Sequence, residues 1–241
     1  MTGRLPPGLW LAVCLLVLAG AGWAIGGPLH GVAGPVDQAT NAFFVGHRAT
    51  WSTFVMRAVT DLGSSALLIL VAVGAGVLWH RRTRSWLPLS LLVGAYAGAW
   101  VLQRAIRVLT QVPRPPAADA IGVFGGYAFP SGHATDAAAV YGMLGVLLAA
   151  ALTRRRAKAA VWTVAVVVVG LVGLSRIYLG GHWLTDVLVG FAVGAAWSSA
   201  LLVGTRDRAA RSRHPRVTAT PLRPPPVARA PVGRVAERPR T

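Results

Sequence analysis

The chain has 241 residues, of which 54% are hydrophobic and only 13% charged. A soluble domain of this size would carry about a quarter of its residues as Asp, Glu, Lys and Arg, so composition excludes an ordinary water-soluble fold. Formal net charge is +17, from 24 Lys and Arg against 7 Asp and Glu, and the excess is unevenly placed.

Six apolar runs follow in chain order: Leu9–Ile25, Leu62–Trp79, Trp86–Ile106, Ala134–Leu152, Ala159–Leu174 and Trp183–Val203. Crossing a bilayer core as helix takes roughly 20 apolar residues, with about 17 as the lower end. The fifth run is short unless it extends into the polar stretch after it. Backbone groups in lipid must be bonded within their own segment, so these runs predict an all-α membrane protein, a bundle of six transmembrane helices. Arg4, Leu9–Leu18 and Ala19-Gly20-Ala21 have the outline of a signal peptide. The apolar run continues to Ile25, however, and a retained first helix is expected. Cys14, within that run, is the one cysteine, so no intramolecular disulfide forms.

Gly26–Asp61 is too polar and interrupted to span. Within it, Ala42–Val59 mixes Phe43, Phe44, Trp51 and Phe54 with His47, Arg48 and Arg57, the pattern of an interfacial amphipathic helix. Basic clusters sit at Arg81, Arg82 and Arg84, at Arg154, Arg155, Arg156 and Lys158, and along the tail from Arg206. With six spans these clusters share one side, which the enrichment of Lys and Arg in cytoplasmic loops makes the cytoplasm. Both termini then face the cytoplasm of a cell whose inner (plasma) membrane holds the protein. Residues 205–241 are rich in Arg and Pro and lack apolar clusters, so a disordered basic cytoplasmic tail is expected after a membrane domain over residues 1–204. Nucleic-acid binding is not expected, because no aromatic residue interleaves with the tail arginines.

Three polar stretches interrupt this pattern on the opposite, extracytoplasmic side. They are Arg107-x6-Arg114-Pro115, Pro130-Ser131-Gly132-His133, and Ser175-Arg176-x5-His182-x3-Asp186. Guanidinium groups grip phosphate oxygens with paired hydrogen bonds and stabilise transition-state charge. The start of the fourth span offers free N–H groups and a glycine for close backbone approach, with the Ser131 hydroxyl as a further donor. Four residues separate His182 from Asp186, which puts them on one helical face, and a carboxylate on one imidazole nitrogen leaves the other free to attack. His133 lacks a carboxylate at that spacing and suits protonation of a leaving group. Asp136 reads as a first-turn carboxylate favoured by the helix dipole. Arg104, a turn before Arg107, either shares its role or snorkels to the interface.

The ordered trio resembles the signature of the type 2 phosphatidic acid phosphatase superfamily, whose members include lipid phosphatases and vanadium haloperoxidases. The resemblance covers about residues 60–203, including Thr60-Asp61-Leu62-Gly63-Ser64. It implies that His182 forms a phosphohistidine, oriented by Asp186. His133 would act as acid and then base, while Arg107, Arg114, Ser131, Gly132 and Arg176 cradle phosphate. The family pattern usually has Lys where this chain has Arg107. No metal and no cofactor are implied, and carboxylates are too few for a two-metal site. The membrane spans argue against the soluble haloperoxidases. What remains is a bacterial lipid phosphatase acting on phosphatidate, phosphatidylglycerophosphate or a polyprenyl (pyro)phosphate. The reading from a different class is an inactive relative that binds or translocates a phospholipid. The sequence is silent on oligomeric state.

Overall fold

The structure is a computed structural model that describes residues 30–213. The expected first span, the Cys14 site and the tail after Arg213 lie outside the described residues. The regular elements among the described residues are all helices: α1 His30–Gly46, α2 Thr50–Asp61, α3 Ser65–Thr83, α4 Leu87–Thr110, a 3-10 turn Ala117–Asp119, α5 Gly132–Ala151, α6 Arg155–Tyr178 and α7 Leu184–Arg213. Five of them, α3 to α7, are long and apolar enough to cross a membrane, matching runs two to six. The short fifth run does extend into its motif, because α6 continues through Ser175 and Arg176. Helix α7 runs on to Arg213, past the expected boundary at residue 204. The interfacial segment is also corrected: His47–Ala49 breaks the expected 42–59 helix into α1 and α2.

Helix α5 is the axis. Of its apolar window 56% is buried, against 11% for α6, and it packs on α3, α4, α6 and α7. Without water between helices, close packing rather than hydrophobicity holds a membrane bundle together, and small residues permit it. Ala134, Ala137, Ala138 and Ala139 are all buried on α5. A methyl at Gly194 of α7 would collide with the Thr135 carbonyl, and one at Gly190 would come within 3.0 Å of the Ser131 carbonyl. A second core joins α3, α4 and α5 through Leu68, Leu92, Ala95, Val140 and Met143. The outer faces keep their apolar side chains exposed, among them Leu70, Val101, Leu109, Val164 and Val166, as lipid contact requires.

Short connections make consecutive spans antiparallel. Ser65, Thr110, Gly132, Tyr178 and Leu184 therefore gather at one end of the bundle, and Arg81, Arg82, Arg84 and Arg154–Lys158 at the other. Helices α1 and α2 lie over the first end. Asp37 of α1 accepts the Thr185 N–H at 3.0 Å and the Thr185 hydroxyl at 2.7 Å, which caps the start of α7. Asn41 donates to Asp119 at 2.7 Å. Arg48 donates twice to the Tyr178 carbonyl at the end of α6, at 3.1 and 2.7 Å, while the Tyr178 hydroxyl meets those of Ser52 and Thr53. Trp51 and Phe54 on α2 are about three-quarters exposed (74% and 75%).

Candidate active site

All three polar stretches converge at the capped end, around a cavity of about 420 Å³ lined by Arg107, Arg114, Gly132, His133, Arg176 and His182. Each reaches it by a different local device. Arg107 sits in the last turn of α4, one helical turn before Gln111, whose left-handed backbone ends the helix. Its Nη2 donates to the Pro130 carbonyl at 2.9 Å, while Nε is buried without a partner among the described residues.

Arg114 lies in the loop after α4 and is held by the chain on both sides. Its Nε and Nη2 donate to the carbonyls of Gly125 and Gly126 at 2.9–3.2 Å, and Nη1 donates to the Gly181 carbonyl. Burial, then the charge of Arg107, lowers the Arg114 pKa from its usual value against the pull of Asp186. Arg176 is buried at the end of α6. Its Nη1 donates to Thr60 Oγ1 at 2.9 Å, and its guanidinium lies 4.8 Å from the Phe124 ring centroid. The turn after it depends on Gly180 at φ +71°, where a Cβ would strike the Asp119 carbonyl oxygen. That turn is closed by the Ile121 N–H bonding to the Leu179 carbonyl at 2.8 Å.

His182 is 3% exposed and Asp186 1%. Nδ1 of His182 lies 3.3 Å from Oδ2 of Asp186, and Arg114 Nη1 donates to His182 Nε2 at 3.2 Å. A guanidinium can only donate, so Nε2 is the acceptor and the imidazole proton sits on Nδ1, facing the carboxylate. Burial first, then the positive charges of Arg114, Arg176 and Arg107, push the His182 pKa well below the usual imidazole value. The ring is therefore neutral, with its lone pair toward the cavity. Contrary to the shared helical face expected from their spacing, α7 begins at Leu184, so His182 precedes the helix that holds Asp186. Asp186 Oδ2 also accepts the Trp183 N–H at 2.9 Å. The carboxylate thus caps the start of α7 and aligns the imidazole with the same oxygen.

The Pro130-Ser131-Gly132-His133 stretch opens α5 as expected, but its donors differ from expectation. The Ser131 N–H bonds to the Asp186 carbonyl at 3.0 Å, which ties α5 to α7 and takes that donor out of play. Ser131 Oγ is fully buried with no partner among the described residues. Gly132 leaves room that a side chain would fill: a Cβ there would lie 3.2 Å from Arg107 Nη2. His133 lines the cavity against Gly63. Asp136, read from sequence as a first-turn carboxylate, is instead 4% exposed, past the first turn of α5 and in the cavity wall. Gln103 on α4 lines the same wall and no motif marked it. Among the described residues no three His, Cys, Asp or Glu side chains gather in a metal-binding group.

A buried imidazole beside a carboxylate, a second imidazole and three arginines line one cavity at the end of a bundle of membrane-length helices, an arrangement with the charge and the donors to take a phosphate group. Residues 86–209 match the PAP2 superfamily, a span that holds all eight expected site residues though not Thr60. The chain belongs to that superfamily, in its bacterial membrane lipid phosphatase branch. It is 35% identical over 161 residues to phosphatidylglycerophosphatase B of Bacillus subtilis (strain 168), covering 66% of this chain and 77% of the relative. The crystal structure of a transmembrane PAP2-type phosphatidylglycerolphosphate phosphatase from Bacillus subtilis superposes with TM-score 0.71 at 29% identity, over 83% of this chain and 96% of that one. LpxE of Aquifex aeolicus shares the fold, with TM-score 0.55 at 20% identity over 68% and 92% of the two chains.

Proposed function

We propose that this lipid phosphatase works through a phosphohistidine on His182, without metal, and that its first-choice substrate is phosphatidylglycerophosphate. The observation that carries the mechanism is the orientation of His182. Its Nδ1 is held 3.3 Å from Asp186 while Nε2 meets Arg114 in the cavity. The Nε2 lone pair attacks phosphorus, the P–O bond to the lipid alcohol breaks, and His133 gives the leaving oxygen a proton. Water then attacks the phosphohistidine, His133 takes a proton from it, and the P–N bond breaks to release phosphate. Arg107, Arg114 and Arg176 hold the three non-bridging oxygens, and the N–H groups that open α5 at Gly132 and His133 add helix-terminal donors. The choice of substrate rests on the likeness to the Bacillus proteins; phosphatidate and polyprenyl (pyro)phosphates are the competing substrates.

The basic clusters at the far end of the bundle support a cytoplasmic placement for that end, with the site facing out of the cytoplasm across the inner (plasma) membrane. The basic tail is assigned to the cytoplasm by the same charge rule. Purified full-length protein in EDTA should release phosphate from phosphatidylglycerophosphate faster than from phosphatidate or a polyprenyl diphosphate. Loss of turnover in EDTA, restored by a divalent cation, would overturn the metal-free mechanism.

A further inference from the structure

Below the arginines the cavity wall changes character. Gln103 Oε1 and Asp136 Oδ1 are both buried without a hydrogen-bond partner among the described residues, and both side chains are 4% exposed. Each sits four residues from a phosphate-site residue, Gln103 before Arg107 on α4 and Asp136 after Gly132 on α5. At 1.5 Å of rise per residue both lie about 6 Å deeper along the bundle. Helices α4 and α5 pack directly together, and both side chains line the cavity. The end of the Gln103 side chain reaches up to Gly132, where a Cβ would stand 3.4 Å from Oε1. These are acceptors, and an unmade buried hydrogen bond costs about 1–3 kcal/mol. Phosphate oxygens under arginines are acceptors too, so phosphate leaves this pair unserved. What serves it is a hydroxyl donor carried by the substrate.

We infer that Gln103 and Asp136 form a headgroup subsite whose two oxygens share the single hydrogen of a free hydroxyl on the leaving alcohol, selecting glycerol-type phosphate esters over esters without one. The inference rests on the phosphatase reading above and narrows its substrate class. With His182 attacking from the outer end, the departing oxygen lies on the opposite side of phosphorus, on the side of the deeper wall. In a glycerol phosphate headgroup the carbon next to the ester carries a hydroxyl at that depth. Phosphatidate and polyprenyl phosphates carry only acyl ester or hydrocarbon there, and would bury both acceptors unpaired. Discrimination of this kind is stronger than shape alone gives, because the mismatched substrate leaves polar groups unsatisfied.

The test compares phosphatidylglycerophosphate with its 2-deoxy headgroup analogue, which lacks only that hydroxyl, and with phosphatidate. All three are presented to purified full-length protein in mixed micelles. Wild type should hydrolyse the parent lipid with kcat/KM about tenfold above the deoxy analogue, the worth of one net hydrogen bond. Gln103→Leu and Asp136→Ala should each collapse that ratio toward one. Equal rates for parent and deoxy analogue in wild type would overturn the inference whether or not the variants fold. So would uniform loss on all three substrates in variants with native melting behaviour, which is the result if Asp136 merely supports Arg107. No turnover of any lipid phosphate by wild type would instead sink the phosphatase reading itself, a distinguishable failure.

Discussion

Arginine sits in two different settings at the two ends of this bundle. At the far end Arg81, Arg82, Arg84, Arg154, Arg155 and Arg156 are exposed, and no acidic partner within salt-bridge distance is seen among the described residues. At the site end Arg107 and Arg114 are half-buried and Arg176 is buried, and all three are pinned to carbonyls or a hydroxyl. Exposed charges at a helix end are solvated and influence only which side they prefer, whereas buried ones retain unspent electrostatic attraction for an anion. The mechanism proposed above takes the second set as a phosphate clamp, and the charge rule takes the first as a topology signal.

That contrast is open to attack by substitution. Arg114 touches both His182 and the cavity, so Arg114→Ala should cost the most, about 1,000-fold in kcat/KM, the upper range for one transition-state donor. Arg82→Ala and Arg155→Ala, measured alongside, should stay within about twofold of wild type on the usual scale of exposed substitutions. Comparable losses at the two ends would dissolve the distinction. Arg107 tests it more finely: Arg107→Ala should lose about 100-fold, and Arg107→Lys should recover much of this by keeping the charge. Wild-type activity in Arg107→Ala would remove that residue from the clamp.

A smaller effect separates the two imidazoles. His133 is assigned to leaving-group protonation, which an activated leaving group such as p-nitrophenolate scarcely needs. His133→Ala should therefore retain about tenfold more relative activity on p-nitrophenyl phosphate than on the lipid, with the protein-to-micelle ratio held fixed. Equal losses on both substrates would leave the acid role to another group. The subtlest readout is the charge of His182 itself. Its folded pKa is lowered, so the neutral form persists as pH falls through the ordinary imidazole value of about 6.5 and is lost only below it. Nitrogen-15 spectra of the imidazole, assigned against His182→Ala, should show a neutral ring at about pH 6.5, where an ordinary imidazole is half protonated. Protonation near pH 6.5 would mean that neither burial nor the surrounding arginines act on it.

Much of this was legible in the chain because two signals were independent. Apolar run length located the five described spans to within a few residues, and the three polar stretches stood out as charge where hydropathy forbids it. The rest depends on rotation and on long-range contact. Gln103 looks like any polar residue near a span end, and only the packing of α4 on α5 turns it into the cavity. Asp136 falls where helix dipoles favour acids, so the local rule masked a buried wall position. Asp37 caps α7 from 148 residues away, a distance at which no spacing rule operates. The break at His47–Ala49 carries no proline or glycine pair to announce it; Gly46 alone ends α1.

The account stands most directly on the covalent intermediate. Rapid acid-free quench of the full-length protein with lipid carrying a radiolabelled terminal phosphate should trap label on the peptide containing His182. The bond should be stable to base and labile to acid, as a phosphoramidate is. The label should be absent in His182→Ala and should accumulate on wild type at early times, when lipid alcohol appears before free phosphate. Label on any other residue, or steady turnover by His182→Ala, would contradict the account.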